Sequence, residues 1–347
     1  MDERLLNNEQ ENKLIRELRE KGTILYSYSR INAFNTCKYE YYKTYLQKNR
    51  GIGNCYSEMG SFVHGFIENA YRQKQTETDD FTRELCVKLA ELELLDMDFP
   101  NEKIKNAFTN DMIHFTDHFK KLDGEFVLEK AFIIEIEGHW FIGYIDAVRL
   151  AEGEIHVIDW KTSSKFSSKK IVEAGRQLAL YKLALEKGYD IEVHKVMWNM
   201  LKYVYVCHER KNKSIMRKMV NRGKIVSTMK DALEKDMKQQ GLSDVEIFLY
   251  MEQALATNSL DVLPEFIKEK YWLEDCYLEY EVNEQVINEL HSYIKESIAQ
   301  IESKDVNNIE EWRPLNVEKE SFYCNTLCNH RETCPFIKEY NRKQSFK

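Results

Sequence analysis

Apolar positions recur at helical spacing through the first 120 residues and then change period. Residues 1 to 22 read as a polar helix with Leu5, Leu6, Leu14, Ile15 and Leu18 available to dock, and nothing in it suggests chemistry. From Tyr26 to Leu46, Ser29 stands as the N-cap of a helix whose stripe carries Ile31, Phe34, Cys37, Tyr41 and Tyr45. A Gly-rich break, RGIGN, leads into SEMGSFVHGFIENAYRQ, where Phe62, Phe66, Ile67 and Ala70 form a buried face and His64 and Glu68 lie one turn apart. Residues 81 to 122 continue helically. Phe126 to Thr162 is rich in Val, Ile, Phe and Trp, and the breaks EIEGHW and RLAEGEIH divide it into a three-stranded meander. EAGRQLALYKLALEKG returns to helical period and stops at Lys187-Gly188, and IEVHKVMWNMLKYVYV follows as a strand. Residues 207 to 270 are charged and read as largely helical; CYLEYEV is a late strand before a helix to about residue 303.

This order predicts an α/β fold with one decorated core. The expected division is an N-terminal helix over 1–22, a core over 23–206, a charged helical insertion over 207–270, and a closing strand, helix and cysteine-bearing segment over 271–347. With 43% hydrophobic and 31% charged residues and only 13 Gly and 4 Pro among 347, wholesale disorder is not expected. No stretch approaches the roughly 18 to 20 apolar residues of a spanning helix, and MDERLLNNEQENKL lacks a basic-then-apolar leader, so the expectation is a cytoplasmic protein without a membrane partner. In that reducing compartment eight cysteines stay mostly thiols, and a close-spaced set reads as a metal site. The net charge of −8 argues against coating nucleic acid through bulk positive charge, though not against local basic patches.

The sharpest local signal is IHVIDWKTSS. Asp159 and Lys161 lie two apart on a strand, so both side chains emerge on one face. A carboxylate that holds a cation beside an ammonium that orients water suits metal-assisted phosphodiester cleavage. An ordinary ion pair is the other reading, but the preceding strand, FIGYIDAV, carries an isolated acid of its own, Asp146, whose burial among apolar neighbours calls for compensation. A shared divalent cation with oxygen ligands compensates both. His64 offers a helix-borne third ligand; alternatively it is a satisfied buried histidine, and Glu68 a solvated helix acid.

GSFVHGFIENAY, GYIDAV, VIDWKTSS and GRQLALY, in this order and preceded by SYSRINAFNTCKYEYY, resemble the successive motifs of RecB-like PD-(D/E)XK nucleases. The likeness covers roughly the first 205 residues plus the C-terminal cysteines. It implies a restriction-endonuclease-like core, a central mixed sheet flanked by helices. It also implies that His64, Asp146, Asp159 and the backbone carbonyl of Trp160 bind Mg²⁺ or Mn²⁺, that Lys161 assists the nucleophilic water, and that Gln177 and Tyr181 position the scissile strand. The Pro of the family name is replaced, since Ile145 precedes Asp146.

In YCNTLCNHRETCPF, Cys324, Cys328 and Cys334 are one thiol short of a tetrathiolate. In the iron–sulphur members of this group, including AddB-type subunits and CRISPR-adaptation nucleases, the fourth cysteine lies far upstream, and Cys37 occupies that place. The resemblance thus implies a [4Fe–4S] cluster. Two departures are the three residues between Cys324 and Cys328, where two are usual, and Lys38 after Cys37 in place of Pro. A Zn²⁺ site using the triplet with Cys37 or His330 is the rival, and Cys55, Cys86, Cys207 and Cys276 read as packing residues. The run HERKNKSIMRKMVNRGK, residues 208 to 224, carries seven Lys or Arg against one Glu and reads equally as a phosphate grip or a solvated basic helix; KFSSKK at 165 to 170 is the second basic candidate. The expected function is a divalent-metal-dependent DNA exonuclease in recombination, repair or phage DNA processing, acting on ends or single strands. The alternative is a catalytically silent subunit that binds DNA or a helicase. No GxxxxGK[ST] ATPase signature is present, so unwinding calls for a helicase or recombination partner.

Overall fold

A computed structural model describes residues 3–72, 78–314 and 316–345. The single helix expected over 1–22 is two, α1 (Glu3–Leu6) and α2 (Glu9–Glu20), because the side chain of Asn8 between them is turned away to bond the sheet. After β1 (Leu25–Tyr26) comes α3 (Tyr28–Thr36), capped not by Ser29 but by Ser27, which accepts from the Arg30 N–H. The stripe expected to run through Cys37 breaks at that residue, whose backbone is extended at φ −150°, ψ 108°. Its sulphur caps α4 (Lys38–Tyr41), and a π-helical turn over Tyr42–Leu46 follows. Helices α5 (Cys55–Tyr71), α6 (Thr78–Leu94) and α7 (Glu102–Asp117) come next.

The meander is β2 (Glu125–Ile136), β3 (His139–Ala151) and β4 (Glu154–Lys161). Its two turns, Glu137-Gly138 and Glu152-Gly153, place both central residues at positive φ, the backbone twist that suits a tight hairpin. α8 (Ser168–Tyr189) runs through Lys187-Gly188, the expected stop, and ends where Asp190 turns left-handed at φ 56°. β5 (Lys195–Glu209) then hairpins into β6 (Ile215–Asn221), so the basic run at 208–224 is largely strand and turn, not helix. Only after it do the helices of the 207–270 stretch follow: α9 (Ile225–Gln239), α10 (Asp244–Thr257) and α11 (Glu265–Lys270). β7 (Tyr271–Glu279), α12 (Glu284–Glu302) and α13 (Pro335–Gln344) complete the chain.

The seven strands form one mixed sheet ordered β1-β3-β4-β5-β6, with β2 also on β3 and β7 also on β5. β4 and β5 are parallel and β3 and β4 antiparallel, which seats Asp159 and Lys161 on a central strand. One core, centred on α8 and α12 and including Phe141, Leu178, Leu185 and Trp198, packs on one side. A second, from α5, α6 and α7 with Met59, Val63, Phe108 and Trp160, covers the other. The parallel pair, buried on both faces, reads as a near-continuous apolar run for that reason. A third cluster ties α9 to α11 onto β5, β6 and β7.

Candidate active site

The residues singled out for metal-assisted cleavage come from α5, β3, β4 and α8 and meet at the end of β4. Asp159 is 1% exposed, and its Oδ2 lies 2.7 Å from Lys161 Nζ, a contact whose angles do not make a hydrogen bond. That oxygen is therefore a buried acceptor with capacity left. Asp146 Oδ2, from β3, accepts the Trp160 N–H at 2.8 Å. Burial, and then the neighbouring Asp159 charge, hold the Asp146 carboxyl well above the usual carboxylate range.

His64 reaches over from α5. Its Nε2 lies 3.0 Å from the Trp160 carbonyl, which can only accept, so Nε2 carries the proton and Nδ1 is the acceptor. Burial depresses the His64 pKa and keeps the ring neutral. Nδ1 nevertheless sits 3.7 Å from Asp146 Oδ2. Two acceptors so close call for a proton or a cation between them. Ligands about 2.1 Å from Mg²⁺ lie roughly 3 Å apart when adjacent and roughly 4.2 Å when opposite, and this pair falls between. Two carboxylates, an imidazole and a carbonyl are a donor set that fits Mg²⁺ or Mn²⁺.

Lys161 Nζ also donates to Gln177 Oε1 at 3.2 Å, and Gln177 Nε2 donates to the Tyr181 hydroxyl at 2.7 Å. Lys161, Gln177 and Tyr181 thus form one chain. On α8, Gly175 leaves room for Tyr280, whose ring a Cβ there would overlap. Glu68 is drawn off into an ion pair with Arg72 at 3.2 Å. Glu129, which sequence reasoning missed, stands opposite Asp146, since Leu128 pairs with Ala147 and Lys130 with Ile145. It is left-handed at φ 51°, and burial and the Glu68 charge raise its pKa. One more acid in a strand of mixed pattern carried no signal of that placement.

Cys37, Cys324, Cys328 and Cys334 are all buried; burial raises the pKa of Cys37 and Cys328, and the charge of Glu40 and then of neighbouring cysteines raises it further. Backbone N–H groups of Glu40 and His330 donate to the sulphurs of Cys37 (3.5 Å) and Cys328 (3.4 Å). His330 Nε2 pairs with Thr44 Oγ1 at 2.9 Å. The same segment grips the loop before α5: Arg331 donates to the Gly53 carbonyl at 2.7 Å, and Asn54, the N-cap of α5, donates to the Leu327 carbonyl at 2.9 Å.

The basic run at 208–224 stands apart from a free phosphate grip in three of its members. Arg222 is 1% exposed and paired with Asp275, Arg217 pairs with Glu274 at 2.9 Å, and Lys218 donates to the Thr228 carbonyl at 3.0 Å. Among the described residues, Glu93, Asp98 and Glu102 also cluster, but they are exposed and Lys105 lies among them.

No curated protein matches the chain significantly in sequence. Among solved structures, the crystal structure of SSO0001 overlaps it at 13% identity over 58% of this chain and 87% of that one, with a TM-score of 0.21, too low to carry an argument. No helix among the described residues is long and apolar enough to cross a membrane. Residues 26–335 match the PD-(D/E)XK nuclease superfamily, a span that takes in every candidate residue above, and the chain belongs to that superfamily.

Proposed function

We propose that the chain is a RecB-like member of this superfamily that hydrolyses DNA phosphodiester bonds as an exonuclease, on ends or single strands, in recombination, repair or phage DNA processing. The observation that carries this reading is the convergence of Asp146, Asp159 and Lys161 from neighbouring strands, with Lys161 chained to Gln177 and Tyr181. In it, His64, Asp146, Asp159 and the Trp160 carbonyl hold Mg²⁺ or Mn²⁺. When bound, the cation polarises the scissile phosphate and lowers the pKa of a coordinated water. Lys161, held between Asp159 and Gln177, orients the attacking water, whose oxygen bonds to phosphorus as the P–O bond to the leaving nucleotide breaks. Gln177 fixes the Lys161 ammonium, and Tyr181 fixes Gln177.

The four cysteines, in this proposal, bind a [4Fe–4S] cluster. Zinc, with Zn–S about 2.3 Å, is the rival occupant of the same thiols. N–H donors to two of the sulphurs suit a cluster. A helicase partner is the expected source of single strands. The test is digestion of DNA labelled at one end or the other, with Mg²⁺ or Mn²⁺ and with chelator. Metal-dependent release of nucleotides from an end supports the proposal; binding without cleavage under every metal supports a silent DNA- or helicase-binding subunit instead.

A further inference from the structure

Helix α2, in the stretch expected to dock without chemistry, borders the candidate site. The Asn8 side chain clamps β2 on either side of Lys130, donating to the Glu129 carbonyl and accepting the Ala131 N–H, both at 2.9 Å. Glu11, 7% exposed, pairs with the fully buried Lys130 at 3.1 Å and accepts the Tyr189 hydroxyl proton. These contacts hold α2 firmly against the sheet and leave its outer face to line a cavity of about 600 Å³.

Gln177 and Tyr181 form one wall of that cavity, so it opens beside the groups that hold Lys161. Arg16 and Arg19 face it from α2, one turn apart and exposed, and neither side chain has an ion pair or hydrogen bond among the described residues. Tyr144, 51% exposed, offers a ring at its edge. Gly143 keeps the edge open; a Cβ there would meet the Phe132 ring at 2.6 Å.

We infer that this cavity takes the single-stranded segment of the DNA substrate next to the scissile bond, with Arg16 and Arg19 on phosphates and Tyr144 against a base. The inference rests on the nuclease reading above and deepens it. Cations beside an exposed aromatic ring match the alternation of phosphate and base face along a single strand. A duplex, its bases stacked inside, offers Tyr144 no base face. The volume also falls within the roughly 300–1,000 Å³ of pockets that hold a ligand of nucleotide size.

The test uses the full chain carrying Asp159→Asn, titrated by fluorescence anisotropy with a labelled oligothymidylate and with a blunt duplex in Ca²⁺ at several salt concentrations. Arg16→Ala with Arg19→Ala should weaken single-strand binding on the order of tenfold and reduce the slope of log K against log salt by about 1.4, at about 0.7 per lost contact. Restoring charge with Arg16→Lys and Arg19→Lys should return the slope. Tyr144→Ala should weaken single-strand binding roughly tenfold with the slope unchanged. Lys211→Ala with Lys213→Ala, on the distant β5–β6 turn, should change neither. Unchanged affinity and slope in the double arginine variant, or an equal loss on the duplex, overturns the inference. Cleavage by the otherwise native chain in Mg²⁺ is scored separately: its absence sinks the nuclease reading, and arginine-dependent single-strand binding would still stand on its own.

Discussion

The two donor sets differ in how the chain assembles them. The oxygen-rich set comes mostly from adjacent strands, where hydrogen bonding alone brings Asp146 and Asp159 side by side, and it is left electrostatically unsettled: a raised Asp146, an unbonded Asp159 oxygen and a histidine acceptor facing a carboxylate. The sulphur set joins Cys37 to a triplet nearly a full chain length away, inside a wall of rings in which Trp312 stacks on Tyr41 at 5.9 Å. Burial pushes the Cys37 thiol up to about 12 and the Cys324 thiol up to about 11. A rigid sheet holds the first set together whether or not a cation is present. The second set joins distant segments of the chain, and in the proposed reading its occupant would contribute folding energy directly. In that reading, the first set governs reaction and the second governs integrity.

Separating these roles gives the largest expected effect. Asp159→Ala or Lys161→Ala should lower cleavage of end-labelled DNA by on the order of a hundredfold to a thousandfold while leaving the melting temperature and DNA affinity near those of the native chain. Near-normal cleavage by both variants would remove these residues from the site.

Cys37→Ser or Cys328→Ser should do the reverse first, lowering the melting temperature by roughly 10 °C. Activity should then fall as the grip of Arg331 and Leu327 on the start of α5, and so on His64, loosens. Anaerobically purified native protein should be brown and hold about four irons per chain. Cys55→Ser should change little. Colourless protein with one zinc refutes the cluster and leaves the oxygen site untouched.

A smaller effect distinguishes the sets by pH. Because the folded-state pKa of Asp146 is raised, the metal-free native state binds more protons than the unfolded chain between the ordinary carboxylate range and the raised value. Stability must then fall as pH rises through that window. Calorimetry in chelator should show a melting temperature a few degrees lower at the alkaline end, restored by Mg²⁺ or Mn²⁺ and absent in Asp146→Asn. A flat profile would mean that Asp146 is not the group that needs compensation.

The smallest effect is expected at the basic hairpin. Neutralising Arg217 and Lys218 should alter DNA affinity less than about twofold, since both are engaged within the protein and exposed pairs of this kind contribute little. Arg222→Ala should instead destabilise, because it strands Asp275 and empties a buried site. A tenfold loss of affinity in the first pair would return the hairpin to the DNA interface.

The meander, its two Glu-Gly turns, the long β5 and the helical periods of α5, α8 and α12 were all legible because each depends on neighbours a few residues apart. So were the positions of Asp146 on β3, of Asp159 and Lys161 at the end of β4, and of Gln177 and Tyr181 on one helical face; Asp159, Lys161, Gln177 and Tyr181 fall within a single chain of contacts. Charge patterning misled at 208–224, where a run of cations looks the same on a strand as on a helix until the partners Glu274 and Asp275 on β7 appear. The break at Cys37 was hidden because cysteine is not among the usual N-cap residues, yet its sulphur accepts the Glu40 N–H and starts a new helix. Local period and turn chemistry are written in consecutive residues, and they set which elements form. Long-range pairing alone decided that Glu129 faces Asp146, that α2 walls the cavity beside Tyr181, and that Cys37 meets Cys324 and Cys334. Those contacts join residues far apart in the chain, where no spacing rule applies.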